Sequence, residues 1–184
     1  MDQCIYNMDC NDFYLGDGEI DLIITDPPYD GFVNMEKLRK ICNGTIIMFC
    51  EQQKPFFKPE YLAYWEKPSA PKNTSKKISQ TNIEWILIET SPNSKYNSNL
   101  FWSNYTGIFH DELVNKPIHP FEKPESLIER LIKIYSNPGD MVFDPYSGSG
   151  TTAVVCKKTG RGFYGCEIDK AYFDLSVSRL KEVK

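Results

Sequence analysis

Two short blocks hold the residues best placed to do chemistry. Asp26-Pro27-Pro28-Tyr29 follows the apolar run 21–25, and Phe143-Asp144-Pro145-Tyr146-Ser147-Gly148-Ser149-Gly150 comes late in the chain. In the first block, two prolines fix the backbone and remove its N–H donors. What remains is a rigid edge of acceptors, the Asp26 carboxylate and backbone carbonyls, beside the flat ring of Tyr29. Such an edge suits a planar substrate with an –NH2 group, whose protons the acceptors hold while the ring stacks on it. Hydrogen bonds from that amine to Asp26 and the Pro27 carbonyl localise its lone pair and aim it at an acceptor of the pair. Catalysis would then rest on orientation and electrostatics, with Asp26 ionised near its ordinary pKa of about 4.

The second block is a cofactor signature. Gly148-Ser149-Gly150-Thr151-Thr152-Ala153 fits G-x-G-x-x-G/A, and it follows a strand-like run and opens a helix-like one. Glu167 ends the next strand-like run, near the spacing at which an acid meets ribose hydroxyls. A dinucleotide is one reading of this pattern. Too little chain follows Ala153 for a second nucleotide-binding half, however, and the Asp144 carboxylate would repel a pyrophosphate. A cationic adenosine ligand such as S-adenosylmethionine fits better.

These blocks need strands to end at them and helices to carry the chain back. Apolar runs predict strands at 4–8, 21–25, 45–50, 61–65, 82–89, 141–143 and 163–168. A helix is expected after Asn34, with Met35, Leu38 and Ile41 on one face and Asn43-Gly44 as its stop. Leu127, Ile128, Leu131, Ile132 and Tyr135 mark a second helix, with a Glu129–Lys133 pair. Helices at 151–158, closed by Gly160, and from an Asp169 cap to residue 180 complete the set. The span 91–120 shows no periodicity. Alternating strands and helices predict a three-layer α/β/α sandwich with a mostly parallel sheet.

Composition sets further bounds. The 184-residue chain is 41% hydrophobic and 25% charged, which predicts one globular domain over 1–184. No apolar stretch approaches the roughly 20 residues of a membrane span, and no signal pattern opens the chain, so a cytoplasmic, membrane-free protein is expected. The six cysteines form no Cys-x-x-Cys pair, and with two histidines there is no metal-ligand spacing; reduced thiols are expected and no metal. Against a net charge of −4, Lys54, Lys58, Lys67, Lys72, Lys76 and Lys77 face only Glu60 and Glu66 in their segment. That basic stretch reads equally as a solvated loop or as a phosphate-tracking surface.

Thr25 to Tyr29, His119-Pro120-Phe121-Glu122-Lys123-Pro124 and Phe143 to Thr151 together resemble the motifs of the DNA amino-methyltransferases. Their order, catalytic motif first and cofactor motif late, is similar to the β group, whose Rossmann-like sheet is circularly permuted. The resemblance implies an antiparallel edge strand, double-stranded DNA as partner, and transfer of a methyl group from S-adenosyl-L-methionine to an exocyclic base amine. It implies that Asp26, Pro27, Pro28 and Tyr29 grip a flipped base. It assigns Asp144, Pro145, Tyr146, Ser147, Gly148, Gly150, Thr151 and Thr152 to the cofactor's methionine part. Glu167 and Ile168 then lie at its ribose, Asp9 and Cys10 near its adenine, and His119 and Lys123 beside it.

Adenine N6 is the expected target, because cytosine-N4 relatives more often carry Ser at the Asp26 position. A catalytically inactive specificity subunit is the alternative of another class. Tyr146 stands where the family usually has Phe or Cys. The variable region 66–117 is short for DNA reading, so a compact recognition insertion, a second copy of the chain or a partner subunit is expected to complete it. Lys54, Lys58, Lys72, Lys76 and Lys77 are candidate phosphate contacts, and Phe101, Trp102 and Tyr105 candidate stacking groups.

Overall fold

A computed structural model describes residues 3–28, 31, 33–50, 57–67, 83–98, 107–114, 117 and 122–183. The strands are β1 (Gln3–Tyr6), β2 (Ile20–Thr25), β3 (Cys42–Cys50), β4 (Tyr61–Glu66), β5 (Ile83–Glu89), β6 (Ile108–His110), β7 (Met141–Asp144) and β8 (Gly162–Cys166). Among the described residues the helices are α1 (Met35–Ile41), α2 (Glu125–Tyr135), α3 (Thr151–Thr159) and α4 (Lys170–Glu182). One eight-stranded sheet runs in the order β1-β8-β7-β2-β3-β5-β4-β6. Every pairing is parallel except those of β5 with β3 and β4.

The antiparallel strand was expected at the edge. It lies inside instead, with β4 and the three-residue β6 beyond it. The antiparallel β4–β5 pair, placed with β5 against β3, explains this: β4 turns parallel again, and its outer side is free to pair with the late segment at β6. That segment falls in the span where no element was expected, because Ile108–His110 is too short for its side-chain period to register.

The sheet is covered unequally. On one face Leu22, Ile24, Ile47, Phe49, Ile86 and Ile88 pack with Leu127, Leu131 and Ile132 of α2 and with Ala153 and Cys156 of α3, while Leu180 of α4 closes the cluster. On the other face Ile23, Ile46, Met48, Leu87 and Phe143 meet Met35, Leu38 and Ile41 of the short α1, with Met8, Phe13 and Leu15 packed beside them. Among the described residues the third layer is thus one short helix plus an irregular segment. Alternation along β3, with Ile47 and Phe49 on one face and Ile46 and Met48 on the other, is what two covered faces require. Burial on both sides supplies the main stabilisation of the sheet.

Local signals place the helices. Asn34 Oδ1 accepts from the Lys37 N–H at 3.0 Å and starts α1. Asp169 Oδ1 accepts from the Ala171 and Tyr172 N–H groups at 2.8 and 3.1 Å and starts α4. Gly160, with φ of +73°, ends α3. Asn43-Gly44, expected to stop α1, lies instead within β3, which begins at Cys42 with no loop. Gly44 serves close packing: a Cβ there would sit 1.9 Å from the Asp21 carbonyl oxygen, beside the register shift between β2 and β3.

The connections diverge at the sheet's centre. Chain leaving β7 passes over one face through α3 and returns outward at β8. Chain leaving β2 passes over the opposite face through α1 and returns the other way at β3. β2 and β7 are themselves parallel neighbours, with Ile23 opposite Phe143. Between their carboxyl ends a crevice must open, and this is where open α/β sheets bind ligands. Gly44→Ala, which forces the β2–β3 contact apart, is expected to destabilise the protein by at least ~2 kcal/mol in urea denaturation.

Candidate functional site

Asp144 ends β7 and Thr25 ends β2, and the Thr25 hydroxyl donates to Asp144 Oδ1 at 2.7 Å. The same oxygen accepts from the Tyr146 N–H at 3.1 Å, and Oδ2 accepts from the Thr152 hydroxyl at 2.8 Å. Asp144 is 4% exposed. Burial pushes its carboxyl up to about 6, even though these three donors favour the charged form. At neutral pH it is an ionised carboxylate in a poorly solvated place without a neutralising cation of its own among the described residues, which is a seat for a positively charged group.

Asp26, one residue beyond β2, opens the other wall. Its Oδ2 takes a hydrogen-bonded ion pair from Lys123 Nζ. Lys123 also meets Glu84 of β5 at 2.9 Å, and Glu84 meets Lys67 at 2.8 Å. The Phe49 ring lies 5.1 Å from the Lys123 ammonium and walls this chain of charges from water. Burial raises Asp26 first; Lys123 opposes that and Glu84 adds to it, leaving the carboxyl at about 6. The ordinary value of about 4 expected from sequence therefore does not hold, because the strand end is buried. Burial alone would lower Lys123, but attraction to Asp26 and Glu84 outweighs it and holds the ammonium above the usual lysine value. Asp26 Oδ1 is buried and has no hydrogen-bond partner among the described residues.

The two walls line one open cleft, with Thr25, Asp26, Phe49, Lys123, Asp144 and the turn 146–152 around it. The glycine turn is built as its sequence requires. Gly148 and Gly150 have φ of +52° and +82°, and a Cβ on Gly150 would lie 2.7 Å from Ser176 Cβ on α4. Ser147 Oγ is buried in the cleft without a partner among the described residues. Glu167 caps the turn rather than standing free: Oε2 accepts from the Gly148 N–H and Oε1 from the Asp169 N–H, both at 2.8 Å. Each oxygen keeps a second lone pair for a ligand.

A second, shallow hollow lies on the far side of Tyr146, against Cys10, Phe143 and Pro145. Asp9 Oδ1 caps the local turn by accepting from the Asn11 N–H at 2.8 Å, and the Lys37 ammonium donates to the Cys10 carbonyl at 2.9 Å. Ile168, 71% exposed, leaves an apolar side chain at the rim. The structure thus brings Asp9, Cys10, Asp26, Lys123, Asp144, Tyr146 and Glu167 to one end of the sheet. A buried carboxylate, an orphaned Ser147 hydroxyl, glycine-lined backbone and an acid at the next strand end fit a cationic adenosine-type ligand.

Two residues of the site carry no motif. Glu84 is the second residue of the largely apolar β5, yet is 4% exposed. Arg179 of α4 donates to the Ser149 carbonyl at 2.9 Å and pairs with Glu122 at 3.0 Å, tying the glycine turn to the segment that carries Lys123. Tyr29, His119, Lys54, Lys72, Lys76, Lys77, Phe101, Trp102 and Tyr105 lie outside the described residues. Lys58 is exposed, and Lys67 is engaged with Glu84. All six cysteines are free thiols, four of them buried. Among the described residues no metal-binding cluster occurs, and no helix is long and apolar enough to cross a membrane.

Known proteins resemble this chain in sequence and fold. The family model N6_N4_Mtase, described as DNA methylase, matches residues 31–178. The chain belongs to that family. It is 35% identical over 146 residues to the type II methyltransferase M1.MboII of Moraxella bovis, a match covering 76% of this chain and 54% of that protein. It is 48% identical over 62 residues, 34% of the chain, to the DNA adenine methyltransferase YhdJ of Escherichia coli strain K12, covering 21% of that protein. The chain therefore spans about half of the first relative and less of the second. The crystal structure of an M1.HpyAVI–SAM complex superposes with a TM-score of 0.73 at 28% identity, covering 96% of this chain and 98% of that one. The cytosine-N4-specific PvuII DNA methyltransferase superposes with a TM-score of 0.73 at 18% identity, over 95% and 85% of the two chains, and shows the fold alone.

The raised Asp144 carboxyl has a linkage consequence. Its folded pKa of about 6 lies above an unfolded value near 4, so the native state holds the proton more tightly. Stability from this group is present below about pH 4 and is lost as pH rises through about 6. Asp144→Asn is expected to raise stability at pH 8 by on the order of 1–2 kcal/mol while removing cofactor binding, read by thermal melts and calorimetry. In the unaltered protein, cofactor affinity should fall as pH drops through about 6.

Proposed function

We propose that the chain transfers a methyl group from S-adenosyl-L-methionine to the exocyclic N6 amine of adenine in DNA. The observation that carries this reading is Asp26, whose buried Oδ1 has no partner among the described residues, in the cleft lined also by the buried Asp144. The first is an acceptor placed for an amine proton. The second is a seat for a cation. When bound, S-adenosyl-L-methionine supplies a methyl group on a sulfonium sulfur that departs as a neutral thioether.

The chain's own residues do the rest. Asp144, Ser147 and the turn 146–152 hold the amino-acid part, Glu167 the ribose, and the hollow by Cys10 the adenine. Asp26 Oδ1 and the Pro27 carbonyl accept the protons of the target amine and turn its lone pair toward the cleft. Lys123 fixes Asp26 through Oδ2 and leaves Oδ1 for the substrate. After transfer the amine carries one proton too many, which passes to Asp26 Oδ1 or to solvent. A base reaches this rim by leaving the duplex, at a cost of about a few kcal/mol, least where pairing is weak. Exposed Lys58 and the basic stretch around it supply candidate phosphate contacts.

Adenine is favoured over cytosine by Asp at position 26 and by the likeness to an adenine enzyme over 62 residues. Cytosine N4 is the second reading, supported by the family's shared chemistry. Mixed-sequence DNA incubated with labelled cofactor and digested to nucleosides should yield N6-methyladenine; N4-methylcytosine alone would overturn the choice. Asp26→Ala should lower kcat at least a hundredfold, roughly what loss of a key polar contact to the transition state costs, with cofactor affinity largely kept.

A further inference from the structure

Glu84 is a carboxylate without a motif, buried within an apolar strand. Its neighbours are the two ammonium groups of Lys123 and Lys67, at 2.9 and 2.8 Å. Lys123 is the same group that pairs with Asp26 Oδ2. The charged groups facing Asp26 are therefore Lys123 from the segment before α2, Glu84 from β5, Lys67 after β4 and Asp144 from β7. Phe49 beneath Lys123 and Trp65 beneath Lys67 wall the chain, at 5.1 and 5.0 Å from the ammonium nitrogens. In so poorly solvated a place a charge one partner away is felt strongly. A buried salt bridge is weak support for stability, so this set needs another reason to be there.

We propose that Glu84 is a positioning residue for the reaction at Asp26: by sharing Lys123 with Asp26 it prevents a private Asp26–Lys123 pair and keeps Oδ1 a strong acceptor for the target amine. A carboxylate that owns its ammonium outright is a weaker acceptor, because its charge is already spent on one partner. With Glu84 competing, the lysine fixes the orientation of Asp26 through Oδ2 without quenching it. Lys67 completes the balance from the other side of Glu84. The assignment rests on the amine-methylation reading above.

The test is the pH dependence of kcat at saturating cofactor and DNA, where the cofactor site's own titration drops out. Glu84→Gln keeps an amide oxygen for Lys123 but removes the competing charge, so Lys123 falls to Asp26 alone. The acidic limb of kcat should move to lower pH by at least about half a unit, and the plateau should fall about three- to tenfold with the cofactor KM little changed. Lys67→Gln acts oppositely: Glu84 then draws Lys123 more strongly, and the limb should move to higher pH. A merely structural Glu84 would lower the melting temperature and leave the limb in place. Limbs coincident with the unaltered protein, or a Glu84→Gln limb moved upward, overturn the assignment; if Glu84→Gln fails to fold, the half-exposed Lys67→Gln decides alone. Should the unaltered protein transfer no methyl group to DNA, the functional reading fails separately. The coupling is then read by carbon-13 NMR titration of the Asp26 carboxyl in the folded proteins, with the same directions of shift expected and no shift contradicting it.

Discussion

A single hydrogen bond, from the Thr25 hydroxyl to Asp144 Oδ1, joins the ends of the two central strands. It forms at the place where the chain connections part, one over each face of the sheet, so neither of those two connections covers it. The crevice above it is a consequence of topology. The chemistry in it follows from which residues the two strands deliver at their last positions. β7 brings a carboxylate that must be held by donors because it is buried; β2 brings Thr25 to hold it and Asp26 immediately after. The two motifs are thus mechanically one unit, although the sequence keeps them far apart.

That unit is electrostatically uncomfortable. Asp26 and Asp144 both sit at about 6, each raised first by burial. Neither gains a solvated environment, and Asp26 Oδ1 and Ser147 Oγ lack partners among the described residues. Buried polar atoms left without partners cost folding free energy, and functional sites are where folds tolerate that cost. The counterweight is the remainder of the sheet, where both faces are closed by aliphatic clusters. A cationic ligand at Asp144 and an amine at Asp26 would relieve what the free protein leaves strained.

Much of this was legible in the sequence, for physical reasons. Runs such as 21–25 and 45–50 are buried on both faces and cannot be anything but central strands. Gly148 and Gly150 announce a turn that other residues cannot make, and Asn34 and Asp169 announce helix starts. Glu84 was hidden by the same logic. Reading β5 by alternation puts Ile83 and Trp85 inward and Glu84 outward, whereas Ile83 is 40% exposed and Glu84 is 4% exposed. Glu84 shares its face with the buried Ile86 and Ile88, so the alternation is real but a charged residue stands on its buried face. Asn43-Gly44 misled for a related reason: a glycine that lets two strands approach looks the same, in sequence, as one that ends a helix. β6 and the pairing of Arg179 with Glu122 depend on contacts distant in sequence, which no local pattern reports.

The central claim is that one cleft between β2 and β7 holds both the amine and the cationic donor. A crystal structure with a bisubstrate analogue, in which the adenosyl-amino-acid moiety is linked covalently to the N6 of adenine, tests this most directly. The account predicts the amino-acid end against Asp144 and the turn 146–152, and the linked N6 within hydrogen-bonding distance of Asp26 Oδ1, with Lys123 still on Oδ2. An analogue whose adenine N6 lies away from Asp26, or whose amino-acid end lies away from Asp144, would contradict it.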